Sequence, residues 1–259
     1  MSASVPREGM LHVEALGATI AIELPDCRLT AAVERAWSAC STVPVEKCPV
    51  ATAPELAPDA GEDGLAAALQ SLTQVVTRTA ILARAGELMM FHASALSDQR
   101  SGATIAMVAP GGTGKTTLVR TLGPGRGDVT DETVGVASDG SISTYCKPLS
   151  VRRPDTGQPK DEVAPSDLGL LPPQVQPWLA GIVLLRRDRE AGETVVVESV
   201  DVLDSLVLLA PETSSLASFE RPLHRLADLV QSVGGLRRVR YHDAADVEPV
   251  VREVLGRAR

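Results

Sequence analysis

Ala109-Pro-Gly-Gly-Thr-Gly-Lys-Thr116 is the stretch that decides how this chain is read. It follows an apolar run, Ala103-Thr-Ile-Ala-Met-Val-Ala109, and precedes Thr117-Leu-Val-Arg-Thr-Leu122, which has helical spacing. The pattern is Gly-x4-Gly-Lys-Ser/Thr, with Ala109 in the first place. Glycines at 111, 112 and 114 let the backbone curl so that successive N–H groups point inward as an anion nest. The helix that follows adds the positive end of its dipole. Lys115 supplies a charge for β and γ phosphates, and Thr116 supplies a hydroxyl suited to Mg²⁺. The expected nucleotide contacts are Gly111, Gly112, Thr113, Gly114, Lys115, Thr116 and Thr117. A strand, this loop and a helix from Lys115 to Leu122 predict a P-loop domain.

Two further features flank the loop. Downstream lies Gly127-Asp-Val-Thr-Asp-Glu-Thr-Val134, with Asp131 and Glu132 sixteen and seventeen residues after Lys115. One helix and one short strand return the chain to the phosphate end of the sheet. A carboxylate there can hold Mg²⁺ or take a proton from an attacking hydroxyl, so Asp131 and Glu132 are candidate catalytic and metal residues. The bland alternative is a solvated turn. Upstream lies Leu88-Met-Met-Phe-His-Ala-Ser-Ala-Leu96, a strand expected to pair with the one feeding the loop. His92 on it is either a satisfied core residue or a group near the phosphates.

Farther out, residues 10–23 read as a hairpin around Leu16-Gly17, and 29–40 as a short helix. Four prolines in 42–62 (44, 49, 54, 58) exclude a helix there. Leu65, Leu69, Leu72, Val76 and Leu82 outline a helix capped by Asp63 and ended near Gly86. Beyond the acidic pair come short strands at 134–137 and 141–145 and a Pro-, Asp- and Gly-rich loop at 153–166. Strands follow at 182–185 and 194–197, a helical pattern at 216–230, a strand at 237–241 and a last helix at 244–255. Strands and helices alternate without strict β-α-β regularity, which predicts a mixed-sheet α/β fold. Residues 1–84 form a small N-terminal α+β region, and 85–259 the P-loop domain.

The 259 residues carry 25 basic and 33 acidic side chains, a formal charge of −8. Phosphate neutralisation needs clustered cations, and only two Phe, two Tyr and two Trp are present to stack bases, so nucleic-acid binding is not expected. No apolar run approaches the ~20 residues of a membrane span, and MSASVPREGM has no signal-peptide core. Cys27, Cys40, Cys48 and Cys146 form no Cys-x-x-Cys and stand at no zinc spacing from the histidines. Free thiols in a reducing cytoplasm are expected.

Phe91-His-Ala-Ser-Ala-Leu96, a short turn, a strand, the loop at 109–116 and Asp131-Glu132 together resemble the HPr kinase/phosphorylase family. The likeness is greater to its small members found beside peptide-modification genes. Tyr145-Cys-Lys-Pro-Leu-Ser-Val-Arg152 and Ile182-Val-Leu-Leu-Arg-Arg187 resemble its later segments. The resemblance spans about 85–255 and implies a fold akin to phosphoenolpyruvate carboxykinase. It also implies ATP- and Mg²⁺-dependent phosphorylation of a serine hydroxyl on a peptide or small protein, and leaves a homo-oligomer open. Lys115 matches the phosphate lysine, Thr116 the metal hydroxyl, Asp131 the base and His92 the histidine before the loop. Glu132 stands where the family commonly has Asp. The Arg-Gly-Leu-Gly signature of the bifunctional enzymes is absent, so phosphorolysis is not implied. Arg152 and Arg153 are read two ways, as contacts to ATP or substrate or as a solvated loop end. Two other functions fit the motif: a nucleotide-binding regulatory module with weak ATPase activity, and a small-molecule kinase.

Overall fold

The computed structural model describes residues 10–154, 158–188 and 195–259. Parts of three expectations lie outside these residues: the N-terminal stretch 1–9, residues 155–157 of the 153–166 loop, and Thr194.

Residues 10–84 carry β1 (Met10–Ala15), β2 (Ala18–Glu23), α1 (Thr30–Ala36), β3 (Val50–Thr52) and α2 (Glu62–Ala83). Residues 85–144 carry β4 (Met89–Ser97), β5 (Ala103–Val108), α3 (Lys115–Leu122), β6 (Gly127–Thr130), β7 (Thr133–Val136) and β8 (Ile142–Ser143). Next come β9 (Leu149–Val151) and β10 (Asp161–Val163). The remainder is β11 (Trp178–Arg187), β12 (Val196–Val200), α4 (Val202–Leu209), β13 (Thr213–Ser214), α5 (Pro222–Ser232), β14 (Leu236–Tyr241) and α6 (Glu248–Leu255).

The chain divides into two compact units, 1–84 with 145–168, and 85–144 with 169–259. The segment 145–168, expected with the second region, groups with the first. In the first unit β1 and β2 form the expected hairpin, turning at Leu16 and Gly17, both with positive φ. The prolines exclude a helix from 42–62 but not a strand: β3 runs parallel to β2 from Pro49 onward. Helix α2 begins without a side-chain cap, at Gly61 rather than Asp63. It buries Ala66, Leu69, Leu72, Thr73, Val76, Thr77 and Ala80, one face at i, i+3, i+4 spacing. Leu82 is 64% exposed, because six residues past Val76 places it off that face. Buried Glu162 of β10 accepts from Thr73 at 2.9 Å and Ser150 at 2.5 Å. The 153–166 stretch is therefore not all loop. Arg153 pairs with Asp63 at the head of α2 and with Asp161 at 2.7 Å, so in this unit it braces the helix against β10. Arg152 is exposed.

The second unit is built on a nine-stranded mixed sheet among the described residues, with the path β12-β14-β11-β5-β4-β7-β8 and β6 and β13 both paired to β4. β5, β11 and β14 are parallel, while β4 runs antiparallel to β5. Met89, Phe91, Ala93 and Ala95 of β4 share a core with Val108, Val134, Ile182, Leu209, Leu226, Val230 and Leu236. The helix expected at 216–230 starts only at Pro222, a residue suited to the first helical position, after Arg221 at φ 60°. Helix α4, capped by Asp201, has no counterpart in the sequence reading. No helix among the described residues is long and apolar enough to cross a membrane.

Candidate active site

β5 is buried throughout, and the chain leaves it at Ala109-Pro110. Gly112 (φ 80°) and Gly114 (φ 101°) take left-handed conformations, which L side chains rarely adopt. A Cβ at Gly111, Gly112 or Gly114 would meet no atom within 4 Å, so φ, not crowding, calls for glycine at 112 and 114. Thr113 closes the curl, its Oγ1 donating to the Pro110 carbonyl at 2.8 Å. Gly114 then opens α3, accepting from Leu118 N–H at 3.0 Å. The helix buries Leu118, Val119 and Leu122 and stops at Gly123-Pro124, as the sequence predicts.

Lys115 is 8% exposed. Its Nζ donates to the carbonyls of Ala109 at 2.5 Å and Pro110 at 3.2 Å. Burial pulls its pKa down to about 8, against the opposing pull of the carboxylates of Glu212, Glu132 and Asp131.

β4 joins the loop to the acidic pair. Its N-terminal half pairs with β7 and its C-terminal half with β5 and β6, and the change falls at His92-Ala93. The His92 carbonyl accepts from Ala109 N–H at 3.4 Å, while Ala93 N–H donates to the Glu132 carbonyl at 3.0 Å. The turn between β6 and β7 is held by Thr130 Oγ1, which accepts from the N–H groups of Glu132 (3.2 Å) and Thr133 (3.4 Å). Across it, Thr116 Oγ1 donates to Asp131 Oδ2 at 2.8 Å, and Asp131 is 6% exposed. His92 is half-buried. Burial lowers its pKa and Lys115 lowers it further, with Glu132, Glu212 and Asp131 pulling the other way. His92, Lys115, Thr116, Asp131 and Glu132 thus meet at the C-terminal end of β5.

Glu212 was not foreseen. It precedes β13, whose Thr213 pairs with Phe91, and this pairing carries its charge to Lys115 and His92. No motif marks it, since it is 97 residues from Lys115 in the chain. Thr113 borders two clefts. One of about 260 Å³ is lined by Thr117, Thr121, Tyr241 and Asp243, and Tyr241 OH donates to the Thr113 carbonyl at 3.4 Å. The other, about 440 Å³, is lined by Pro110, Glu212, Arg186, Arg187 and Arg238. A larger cavity of about 520 Å³ between Met89, Phe219 and Arg225 touches none of the motif residues.

Among the described residues no three His, Cys, Asp or Glu groups cluster to hold a metal by themselves. The hard oxygens present are the Thr116 hydroxyl and the carboxylates of Asp131 and Glu132. That donor set fits Mg²⁺, which keeps waters and shares phosphate oxygens rather than occupying an all-protein cage.

No family model matches the chain, and neither does any curated protein. Among solved structures it is similar to the Hpr(Ser) kinase/phosphatase from Coxiella burnetii, at 12% identity and a TM-score of 0.31, over 63% of this chain and 94% of that one. The likeness is distant. The site is read from this chain's own residues.

Proposed function

We propose that the protein is an ATP- and Mg²⁺-dependent phosphotransferase that moves the γ-phosphate to a serine hydroxyl of a peptide or small protein. The observation that carries this reading is the 2.8 Å hydrogen bond between Thr116, at the head of the phosphate-loop helix, and the buried Asp131. A buried carboxylate beside the metal hydroxyl stands where it can hold Mg²⁺ or take the proton of an acceptor hydroxyl.

The loop amides and the N-terminus of α3 bind phosphate oxygens. Lys115 exchanges its two carbonyl partners for β and γ oxygens. Mg²⁺, when bound, neutralises charge on the phosphate oxygens, and Thr116, Asp131 and Glu132 are the residues that would hold it. Asp131 accepts the proton of the acceptor hydroxyl as its oxygen bonds to the γ phosphorus. The bond from that phosphorus to the β,γ-bridging oxygen breaks, and ADP leaves. His92, kept neutral, lines the spot without adding charge. Glu212 repels a phosphate held on its side of Lys115 and so favours one path for the chain of phosphates.

The test is γ-labelled ATP with serine-containing peptides, followed by mass analysis. A phosphotransferase gives a peptide heavier by one phosphoryl group and stoichiometric ADP. Release of inorganic phosphate at the same rate with and without peptide overturns the reading and leaves an ATPase module.

A further inference from the structure

The sheet face under α4 carries an arrangement that folding by itself does not favour. β11 and β14 run parallel, with Ile182 beside Leu236, Leu184 beside Arg238 and Arg186 beside Arg240. Side chains alternate along a strand, so these six share one face. Ile182 and Leu236 belong to the core, together with Leu209 of α4. Toward the C-terminal ends of the strands the same two rows change from apolar residues to three guanidinium groups. Like charges on neighbouring strands repel.

Little within the unit neutralises them. Arg238 has one partner, Glu198 opposite it on β12, in an ion pair at 3.7 Å. Arg186 and Arg240 make no ion pair among the described residues, and Arg240 Nε is buried without a hydrogen-bond partner. Arg187, on the opposite face, is already committed: Nη2 to Asp243 at 3.1 Å and Nε to the His242 carbonyl at 3.0 Å. In a chain of charge −8 this is a local reversal of sign.

Arg186 and Arg238 open onto the phosphate loop. Arg186 and Arg238 line the same 440 Å³ cleft as Pro110, Thr113 and Glu212. A second cleft on the other side of Thr113, lined by Thr117 and Tyr241, leaves the nucleotide a place of its own. We propose that the arginine cleft holds an acidic segment of the phosphoryl acceptor, its carboxylates seated on Arg186 and Arg238 and away from Glu212, which lines the same cleft. Arg186 and Arg238, which line the cleft, come from neighbouring strands, so an extended peptide can present a carboxylate to each. Each is suited to bidentate contact with a carboxylate. The proposal rests on the phosphotransferase reading for the acceptor's role, but its binding chemistry is tested separately.

The probes are fluorescent ten-residue peptides with a central Ser flanked by Glu, by Gln or by Lys. Binding to the full chain is followed by anisotropy with Mg²⁺ and a non-hydrolysable ATP analogue. The Glu peptide is expected to bind about tenfold or more tighter than the Gln peptide and to weaken with salt, as paired charges near a surface do. Arg186→Gln and Arg238→Gln should each cost about fivefold or more in that affinity, with nucleotide affinity unchanged and the melting temperature not lowered. Equal binding of Glu and Gln peptides overturns the proposal. So does a loss of nucleotide affinity in the variants, which would give the arginines to ATP. Phosphoryl transfer without acidic preference sinks this inference and leaves the function standing. Selective binding of the Glu peptide without transfer does the reverse.

Discussion

Replacing Lys115 by Met should make the protein more stable while disabling it. The ammonium is 8% exposed, and burial lowers its pKa from 10.5 to about 8. At about 1.4 kcal/mol per pKa unit, that shift amounts to roughly 3 kcal/mol of destabilisation at neutral pH, where the group is charged. Water reaching the loop reduces it, and the bonds to Ala109 and Pro110 are lost with the charge, so a net gain of about 1–2 kcal/mol is expected. The pH dependence has a definite sign. Below pH 8 both folded and unfolded chains hold the proton and the penalty is constant. Between pH 8 and 10.5 the unfolded chain holds it and the folded chain does not, so wild-type stability rises through this window. The advantage of Lys115→Met should therefore shrink as pH rises from 8 to 10.5. Urea unfolding of both proteins across that range reads it directly. Phosphoryl transfer should fall about 100-fold or more, the scale of one preorganised charge contact. A Met variant less stable than wild type at pH 7, or one with undiminished turnover, refutes the reasoning.

The same variant should move His92. Its imidazole titrates below 6.5 through burial and the Lys115 charge, so removing that charge should raise the midpoint seen by NMR, and an unmoved midpoint would place Lys115 away from it. Asp131→Asn should bind ATP within a few-fold of wild type by calorimetry and lose transfer by about 100-fold or more. Glu132→Gln should raise the Mg²⁺ concentration needed for half-maximal transfer, since it removes a hard anionic ligand. Gly114→Ala adds no clash but forces φ 101° on an L residue, costing about 1–2 kcal/mol in thermal unfolding and weakening ATP binding as the loop relaxes.

Much of the site was legible because its parts are local. Gly112 and Gly114 are required by backbone angles, α3 begins where Gly114 ends the curl, and one helix and one strand bring Asp131 back to Thr116. These are short-range constraints, and they leave a motif. The mixed α/β class and the antiparallel pairing of β4 with β5 were readable for the same reason, from apolar runs, turn residues and their order. The tertiary structure decided the rest through contacts distant in the chain. β4 changes partners at His92, which ties loop to acidic pair, yet nothing in Phe91-His-Ala says where one partner ends and the next begins. Glu212 enters by the pairing of β13 with β4, and Arg186 meets Arg240 by the register of two strands more than fifty residues apart. Arg153, read from the sequence as a contact to ATP or substrate or as a solvated loop end, is claimed by Asp63 and Asp161. Local backbone preferences are written residue by residue, whereas strand register and the meeting of distant charges exist only once the whole core has packed.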